Sequence, residues 1–303
     1  MSISKASLAL AATVVLWASA FPATRAALTG YQPYDLAFVR LAVASAALAL
    51  AAPVLGVRLP RAKDLPLIAL CGSAGMSAYQ LLLNWGEVRV PAGTASLLIA
   101  VAPVFSAALA AAFLGERLTR RKVLGSVIAL GGSATIALSG GEARYSAAAW
   151  GVLAAALVQG IYHVGSKPLL RRYSGIEVAC YATWSGTLFL LPLAPSAAHG
   201  LVSAPVPTTI SAVLLGIFPS AIGFVVWGYA VARYSVTVAT AALYLVPVVA
   251  LAVAFAWLGE VPRPVELLGG VVSIAGVVLI NLRARKARAQ PPRIAEGDLP
   301  RVR

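Results

Sequence analysis

The segment PVFSAALAAAFLGE at residues 103–116 recurs 144 positions later as PVVALAVAFAWLGE at residues 247–260. Each copy is an apolar run that opens on a proline and closes on Leu-Gly-Glu. Continuous apolar runs are typical of membrane-spanning helices, whereas the strands of membrane barrels alternate apolar and polar residues. The two segments therefore predict membrane helices and an internal repeat.

The repeat continues on both sides of these segments, because residues 90–136 align without gaps with residues 234–280. The matching pairs include Ala95/Ala239, Pro103/Pro247, Val104/Val248, Leu114/Leu258, Gly115/Gly259, Glu116/Glu260, Gly125/Gly269 and Gly132/Gly276. Trp85-Gly86 also pairs with Trp227-Gly228. Alanine and leucine matches are common in such a composition, but clustered proline, glycine and Leu-Gly-Glu matches are not. The chain is therefore predicted to contain two related halves.

Composition agrees with a membrane protein. The chain has 303 residues, of which 60% are hydrophobic and 11% are charged, and its mean hydropathy is +0.87. A soluble domain carries about 25% charged residues. Apolar runs between charged or Pro/Gly-rich breaks predict ten spans, at 6–28, 34–55, 64–87, 91–114, 120–139, 146–168, 175–194, 208–232, 235–258 and 264–283.

The distribution of basic residues predicts the orientation of these spans. With the N-terminus in the cytoplasm, 19 of the 24 Lys and Arg residues fall on the cytoplasmic side, four fall outside, and Arg40 lies within a span. Cytoplasmic loops of membrane proteins are enriched in Lys and Arg. The pattern predicts ten spans with both termini cytoplasmic, and it explains the net charge of +14 without a nucleic-acid partner.

Five spans in each half require that the second half be inverted relative to the first. The predicted units are a first repeat at 1–141, a second repeat at 146–283, and a disordered basic cytoplasmic tail at 284–303. Inverted repeats are the architecture of alternating-access transporters, whose substrate site lies near the midplane between the halves. The fold class is thus an all-α membrane protein, and transport is the favoured function.

Several motifs also carry a family resemblance. The two halves, Asn84-Trp85-Gly86, Pro91-Ala92-Gly93, the prolines within spans and the paired Leu-Gly-Glu motifs resemble the EamA branch of the drug/metabolite transporter superfamily. Within that branch, the chain looks most like the YddG-type bacterial exporters of aromatic amino acids. The resemblance covers about residues 6–283. It implies export of amino acids and related metabolites across a bacterial inner membrane, by rocking of the halves around a central cavity.

The placement of acidic residues limits the mechanism. None of the ten lies in the middle of a predicted span, so a carboxylate proton relay is not expected. No Walker A motif is present, so ATP is not expected to drive transport directly. Cys71 and Cys180 have no metal-binding spacing and are interpreted as small core residues. No cofactor, metal site or catalytic residue is predicted.

Arg40 and His163 are the ionisable residues predicted well inside spans. Arg40 is interpreted either as a clamp for a substrate carboxylate or as a structural residue that reaches the interface, Asp35 or a helix C-terminus. His163 is interpreted either as a titratable donor in a cavity or as a neutral side chain that bonds a neighbouring helix. Gln159 and Tyr162 lie close to it, and this polar patch is predicted to face protein or a cavity.

Other candidate substrate-binding residues lie in the first, third, eighth and ninth spans. Amide and aromatic groups there suit a neutral or aromatic ligand, although buried aromatic residues more often serve packing. The candidates are Trp17, Tyr79, Gln80, Asn84, Trp227 and Tyr244. The candidate hinges are Pro22, Pro103, Pro219 and Pro247, because each removes a backbone hydrogen bond within a span.

Competing functions remain open on the sequence alone. A carrier of nucleotide sugars or phosphate esters would need several buried cations. An intramembrane enzyme would need a nucleophile–base pair or a metal cluster, and a selective channel would need a filter or a charged ring. The substrate, a coupling ion, the direction of flux and the oligomeric state are left open.

Overall fold

A computed structural model describes residues 5–115, 119–139, 143–233, 242–243 and 245–281. These residues form helices and turns, and no strand occurs among them. The prediction of an all-helical membrane protein is confirmed. The predicted site residue Tyr244, the first Leu-Gly-Glu glutamate Glu116 and the predicted tail at 284–303 lie outside the described residues.

The helices follow the predicted spans in order. They are α1 (Lys5–Ala27), α2 (Pro33–Ala51), α3 (Ala62–Glu87), α4 (Ala92–Leu114), α5 (Arg120–Leu138), α6 (Ala143–Leu169), α7 (Gly175–Ser203), α8 (Val206–Ala230), α9 (Leu245–Leu258) and α10 (Pro264–Asn281). In the described parts of the chain, eight helices are long and apolar enough to cross a membrane, and α9 and α10 are shorter apolar helices.

Helix α7 extends beyond the predicted span of 175–194. A 3₁₀ turn at Leu191–Leu193 interrupts it, and the helix resumes at Ala194–Ser203. Each proline in this stretch falls in the first turn of its segment, where a proline has no intrahelical hydrogen bond to remove. Pro192 and Pro195 are therefore accommodated within a helical segment that continues past the predicted end of the span.

Two π-helical turns occur at corresponding positions, Gly72–Ala78 in α3 and Gly216–Ile222 in α8. Their first residues are 144 positions apart. Each turn packs against a helix from the other part of the chain. A Cβ built on Gly72 would lie 2.7 Å from the backbone N of Gly186, and one on Gly216 would lie 2.8 Å from the carbonyl oxygen of Arg40. Glycine thus permits the close approach of helix backbones at both turns.

Helix contacts connect the first five helices with the last five throughout the bundle. Helix α1 packs against α8 and α9, while α6 packs against α3 and α4. Helices α2 and α7 contact each other, as do α5 and α10. The α5–α10 contact is close, because Ser133 Oγ lies 3.0 Å from Ser273 Oγ and Ser273 also donates to the Ala129 carbonyl at 2.9 Å. The centre of the bundle is therefore enclosed by helices from both parts.

Candidate functional site

A cavity of about 70 Å³ lies in the centre of the bundle. It is bounded by α1, α2, α3, α4, α6, α8 and the segment around the start of α9. Its walls are formed by Trp17, Ala20, Phe21, Arg40, Tyr79, Gln80, Leu83, Ser96, Ile99, Ala100, Ala102, Pro103, Gln159, His163, Phe224, Leu243, Val246 and Pro247. A few polar groups therefore meet in a mainly apolar chamber, which is typical of small-molecule sites.

Two amides supply acceptors in this chamber. Gln80 on α3 is 1% exposed and Gln159 on α6 is 6% exposed. The side-chain oxygen of each has no hydrogen-bond partner among the described residues. A buried acceptor left unpaired costs about 1–3 kcal/mol. A ligand that carries hydrogen-bond donors would satisfy both oxygens.

His163 bonds its neighbours as a neutral imidazole. Ser106 on α4 donates to the Ala102 carbonyl at 3.0 Å, so its hydroxyl oxygen accepts from His163 Nδ1–H at 3.1 Å. The Nε2 lone pair then accepts from the Gln159 amide nitrogen at 3.4 Å. This arrangement joins α6 to α4 and fixes the amide of Gln159. His163 thus bonds a neighbouring helix, as its second interpretation expects, and it also lines the cavity, whereas a titratable role stays a prediction.

Arg40 is buried at 4% exposure. Its Nε donates to Ser220 Oγ on α8 at 2.7 Å, and its Nη1 donates to Thr24 Oγ1 on α1 at 3.5 Å. No ion pair of Arg40 with Asp35 occurs in the described parts of the chain. The guanidinium is therefore held at the cavity wall by neutral hydroxyls, and its positive charge is not balanced by either bond.

Aromatic side chains form one wall of the chamber, and further aromatic side chains pack behind them. Trp17 and Phe224 line the cavity, with ring centroids 5.2 Å apart. Trp227 packs behind them, 5.3 Å from Trp17 and 5.9 Å from His163. Tyr162 packs against Phe224 at 5.7 Å. Trp17 Nε1 donates to the Pro219 carbonyl at 3.2 Å, which satisfies the indole nitrogen without a ligand.

The structure brings most of the predicted site residues together. Those that line the cavity are Trp17, Arg40, Tyr79, Gln80, Gln159 and His163, together with the predicted hinges Pro103 and Pro247. Tyr162, Trp227, Pro22 and Pro219 lie behind the wall or in the surrounding helices. Asn84 donates to the Pro33 carbonyl at 3.0 Å and so holds the start of α2.

The two prolines of the pair lie near the starts of helical segments that line the cavity. Helix α4 is interrupted at Ala100–Val101, and Pro103 falls in the first turn of the segment that follows. Pro247 falls near the beginning of α9. Pro103 therefore follows backbone that is not helical, and both prolines lie near the start of a helical segment, where a missing N–H group costs little.

Sequence reasoning missed several wall residues, among them Phe21, Ser96, Ile99, Phe224, Leu243 and Val246. Most are apolar residues in continuously apolar helices, so no pattern distinguishes the side that faces the cavity. Ser96 offered a signal, because it is a polar residue inside an apolar span. Glu87 was treated as a residue at a span end, yet it is completely buried.

Ion pairs join distant parts of the chain at both ends of the bundle. At one end, Arg25 lies 3.5 Å from Glu260 and donates to the Glu87 carbonyl. At the other end, Arg58 pairs with Glu177 at 2.8 Å, and the hydrogen bond that Arg58 donates to the Glu177 carboxylate raises the pKa of Arg58. Arg172 pairs with Asp64 at that same end.

Clusters of three or more His, Cys, Asp or Glu residues that could hold a metal ion are not found in the parts of the chain that the structure describes. The polar groups of the chamber are hydrogen-bonding groups and one cation, which suit recognition of a solute. A bundle of apolar helices around a partly polar chamber is typical of a membrane transporter.

The profile of the EamA-like transporter family matches residues 4–138 and again residues 146–282, so the chain belongs to this family. It is a multi-pass membrane transporter of small molecules and not an enzyme.

Two relatives agree with this assignment, and a solved structure shares the fold. A probable terminal-alkyne amino-acid exporter of Streptantibioticus cattleyicolor is 65% identical over 294 residues, which cover 96% of this chain and 99% of that protein. A probable amino-acid metabolite efflux pump of Salmonella typhimurium is 28% identical over 221 residues, covering 66% and 74% of the two chains. A crystal structure with 20% identity shares the fold with a TM-score of 0.64, covering 95% of this chain and 100% of that chain.

Proposed function

We propose that this protein exports neutral amino acids and related small metabolites across a bacterial inner membrane by alternating access. The observation that carries the proposal is the meeting of Arg40 with the unpaired amide oxygens of Gln80 and Gln159 in one apolar chamber. A zwitterionic amino acid has the complementary groups, namely a carboxylate, an ammonium group and a side chain.

Each part of such a substrate has a partner in the chamber. The carboxylate binds the guanidinium of Arg40, whose charge is not neutralised by its hydroxyl partners. The ammonium group donates to the oxygens of Gln80 and Gln159. The side chain packs on the apolar wall around Phe224 and Val246. Among the wall residues that the structure describes, none offers a second charge to a charged side chain, which favours neutral amino acids, aromatic ones included.

The names of the relatives support the same substrate class. The Streptantibioticus protein is named as an exporter of terminal-alkyne amino acids, which have neutral, apolar side chains. The Salmonella protein is named as a pump for amino-acid metabolites. At about 70 Å³ the chamber holds only a few water molecules. Entry of an amino acid therefore requires that the surrounding helices move apart.

The proposed topology has ten spans, two inverted five-helix halves and cytoplasmic termini. Three observations support it. The family profile matches the chain twice. The π-helical turns at Gly72–Ala78 and Gly216–Ile222 and the positive φ angles of Gly115 and Gly259, both 67°, all recur at the offset of 144. The excess of Lys and Arg on one side agrees with the orientation.

Alternating access is supported by the ion pairs at the two ends. In the proposed topology, Arg25–Glu260 closes the outer end, and Arg58–Glu177 with Arg172–Asp64 closes the cytoplasmic end. Every pair joins the first half to the second. Breaking one set while keeping the other would open the chamber to one side at a time.

The test is exchange of radiolabelled neutral amino acids in liposomes that contain the purified protein. We expect saturable exchange, reduced at least about tenfold in affinity by Arg40→Lys, Gln80→Leu or Gln159→Leu, because each change removes a hydrogen bond to a charged group. Arg89→Lys and Gln32→Leu are matched controls, since both residues are exposed. These controls are expected to behave like the unmodified protein.

Substrate analogues make the assignment specific. An amine that lacks the carboxylate should be insensitive to Arg40→Lys, and an acid that lacks the amino group should be insensitive to Gln80→Leu. No saturable exchange of any amino acid, or equal losses for cavity and control variants, would reject the proposal. Competition by a nucleotide sugar or a phosphate ester would instead favour that carrier class, although one guanidinium in the chamber is few cations for a diphosphate.

A further inference from the structure

Glu87, the last residue of α3, is buried in an unusual way. It is 0% exposed, and neither carboxylate oxygen has a hydrogen-bond partner among the described residues. Glu266 is a useful comparison, because it is almost equally buried at 1% exposure. Its Oε1 accepts from Tyr145 at 2.7 Å, and its Oε2 accepts from Thr94 at 3.2 Å and from the Arg263 N–H at 2.8 Å.

Glu87 lies where two helices and a turn meet at the proposed outer end. Arg25 on α1 donates to the backbone carbonyl of Glu87 and pairs with the carboxylate of Glu260. Glu260 also accepts from the Ala92 N–H at 2.8 Å. The closed contact between α1, the start of α4 and the α9–α10 turn therefore lies directly against Glu87, whose side chain is fully buried.

The charged and titratable groups around Glu87 are of both signs. Those that interact electrostatically with Glu87 are Arg40 on α2, Arg25 on α1, Glu260 in the α9–α10 turn and Tyr79 on α3 itself. Asp35 is a further buried acidic residue on α2, and Arg89, which follows α3, is exposed. Helix α6 contributes apolar contacts, since Trp85 packs on Gly151 and Gly86 packs on Val152. None of the cations forms a hydrogen bond or ion pair with the Glu87 carboxylate among the described residues.

Burial of an ionised carboxylate without a partner is strongly unfavourable, and such a group becomes neutral instead. In the closed arrangement, Glu87 is therefore expected to carry a proton. Separation of Arg25 from Glu260 would admit water to the carboxyl group. The charges of Arg25 and Arg40 would then favour its ionised form.

We propose that Glu87 is a proton-binding site of the outer closure, and that this end of the bundle closes only after Glu87 has taken a proton from the outer solution. The proposal rests on the alternating access proposed above. Closing converts the hydrated carboxylate and one proton into a buried carboxylic acid, and opening releases that proton to the same side. An acidic exterior thus favours the closed outer end.

The test measures the distance between two spin labels at the outer end, by electron paramagnetic resonance of the protein in liposomes. Spin labels are placed at Thr29→Cys and Val261→Cys, which are exposed at this end, after Cys71→Ala and Cys180→Ala. We expect the population with the shorter distance to grow as the pH falls from about 9 to about 5. In Glu87→Gln, a permanently neutral analogue, the short distance should dominate at every pH.

Glu266→Gln is the matched control and is expected to keep the pH response of the unmodified protein. Distances that do not change with pH in the labelled protein that keeps Glu87 would overturn the proposal, and this outcome does not depend on whether the Glu87→Gln variant folds. An unchanged pH response in folded Glu87→Gln would overturn it as well. Amino-acid exchange measured on the same liposomes separates the two proposals, because a pH-dependent outer end without exchange rejects only the substrate class.

Discussion

The carboxylate of Glu260 accepts a hydrogen bond from the backbone N–H of Ala92 at 2.8 Å. The two residues are 168 positions apart, and the bond ties the turn after α9 to the start of α4. The same carboxylate pairs with Arg25 at the end of α1. One side chain of the second half therefore holds two helices of the first half at the proposed outer end.

We predict that Glu260→Gln favours opening of this end by about fivefold. The amide oxygen can still accept from Ala92, whereas the ion pair with Arg25 is lost. Both partners are partly exposed, and such pairs contribute about 1 kcal/mol or less. The population of the long distance between labels at Thr29 and Val261 measures the change.

Arg25→Gln provides the control for this pair. Arg25→Gln removes the ion pair and also the bond from Arg25 to the Glu87 carbonyl. If the ion pair is responsible, adding Glu260→Gln to Arg25→Gln should therefore open the end no further than Arg25→Gln alone. Fully additive effects would contradict the interpretation.

Ser220→Ala is expected to weaken substrate binding about tenfold with a smaller effect on the maximal rate. Ser220 is a positioning residue, because its hydroxyl receives the Arg40 Nε–H at 2.7 Å and orients the guanidinium. Hydrogen bonds to charged groups contribute about 1.5–3 kcal/mol. Exchange kinetics separate the Michaelis constant from the maximal rate.

Ser220→Thr should largely restore affinity, because it keeps the hydroxyl group. Ser211→Ala is a suitable control, since Ser211 is on the same helix and its hydroxyl bonds only within that helix, to the Pro207 carbonyl. An equal loss in Ser211→Ala would assign the effect to α8 in general.

Gly175→Ala is predicted to lower the thermal stability markedly. A Cβ at this position would lie 2.3 Å from the backbone carbon of Gly228, and backbone atoms cannot move aside as a flexible side chain would. Helices α7 and α8 would have to separate, and overpacking of this kind typically costs about 1–3 kcal/mol. The measurement is the midpoint of thermal unfolding in detergent.

Gly131→Ala is the matched control, because nothing lies within 4 Å of a Cβ built there. Alanine favours helix over glycine by about 1 kcal/mol, so this variant should be as stable as the unmodified protein or slightly more so. Destabilisation of both variants by the same amount would contradict the close α7–α8 contact.

Glu177→Ala is expected to destabilise the protein more than Arg58→Ala. Glu177 completes a capping box at the start of α7, in which Ser174 and Glu177 exchange hydrogen bonds, and loss of a cap costs about 1 kcal/mol. The Arg58 side chain is 71% exposed, so in Arg58→Ala water can take the place of the guanidinium beside Glu177. Equal destabilisation in thermal unfolding would place the effect in the ion pair and not in the cap.

The helices and their order were predictable from the sequence because lipid forces every spanning backbone to satisfy its own hydrogen bonds. A run of about twenty apolar residues then identifies a helix without knowledge of its neighbours. The breaks inside helices were not predictable. The π-helical turn at Gly72–Ala78 depends on close packing against Gly186, a contact that joins residues far apart in the chain.

Part of the site was also predictable. Polar residues inside apolar spans are costly unless they face protein or a cavity, so Arg40, Gln80, Gln159 and His163 were found from their positions alone. Asn84 is also a polar residue inside an apolar span, but it faces protein and not the cavity, because it donates to the Pro33 carbonyl. Apolar wall residues such as Phe224 carried no signal, because apolar side chains suit lipid, protein and cavity equally.

The sequence by itself determined that this protein is a helical membrane protein with a repeated motif, since hydropathy and repetition are properties of the chain. Only the tertiary structure decided which polar groups share one chamber and that Glu87 is buried without a partner. Burial and pairing arise when helices distant in sequence meet, and a carboxylate near the end of a span is solvated or enclosed according to what packs over it.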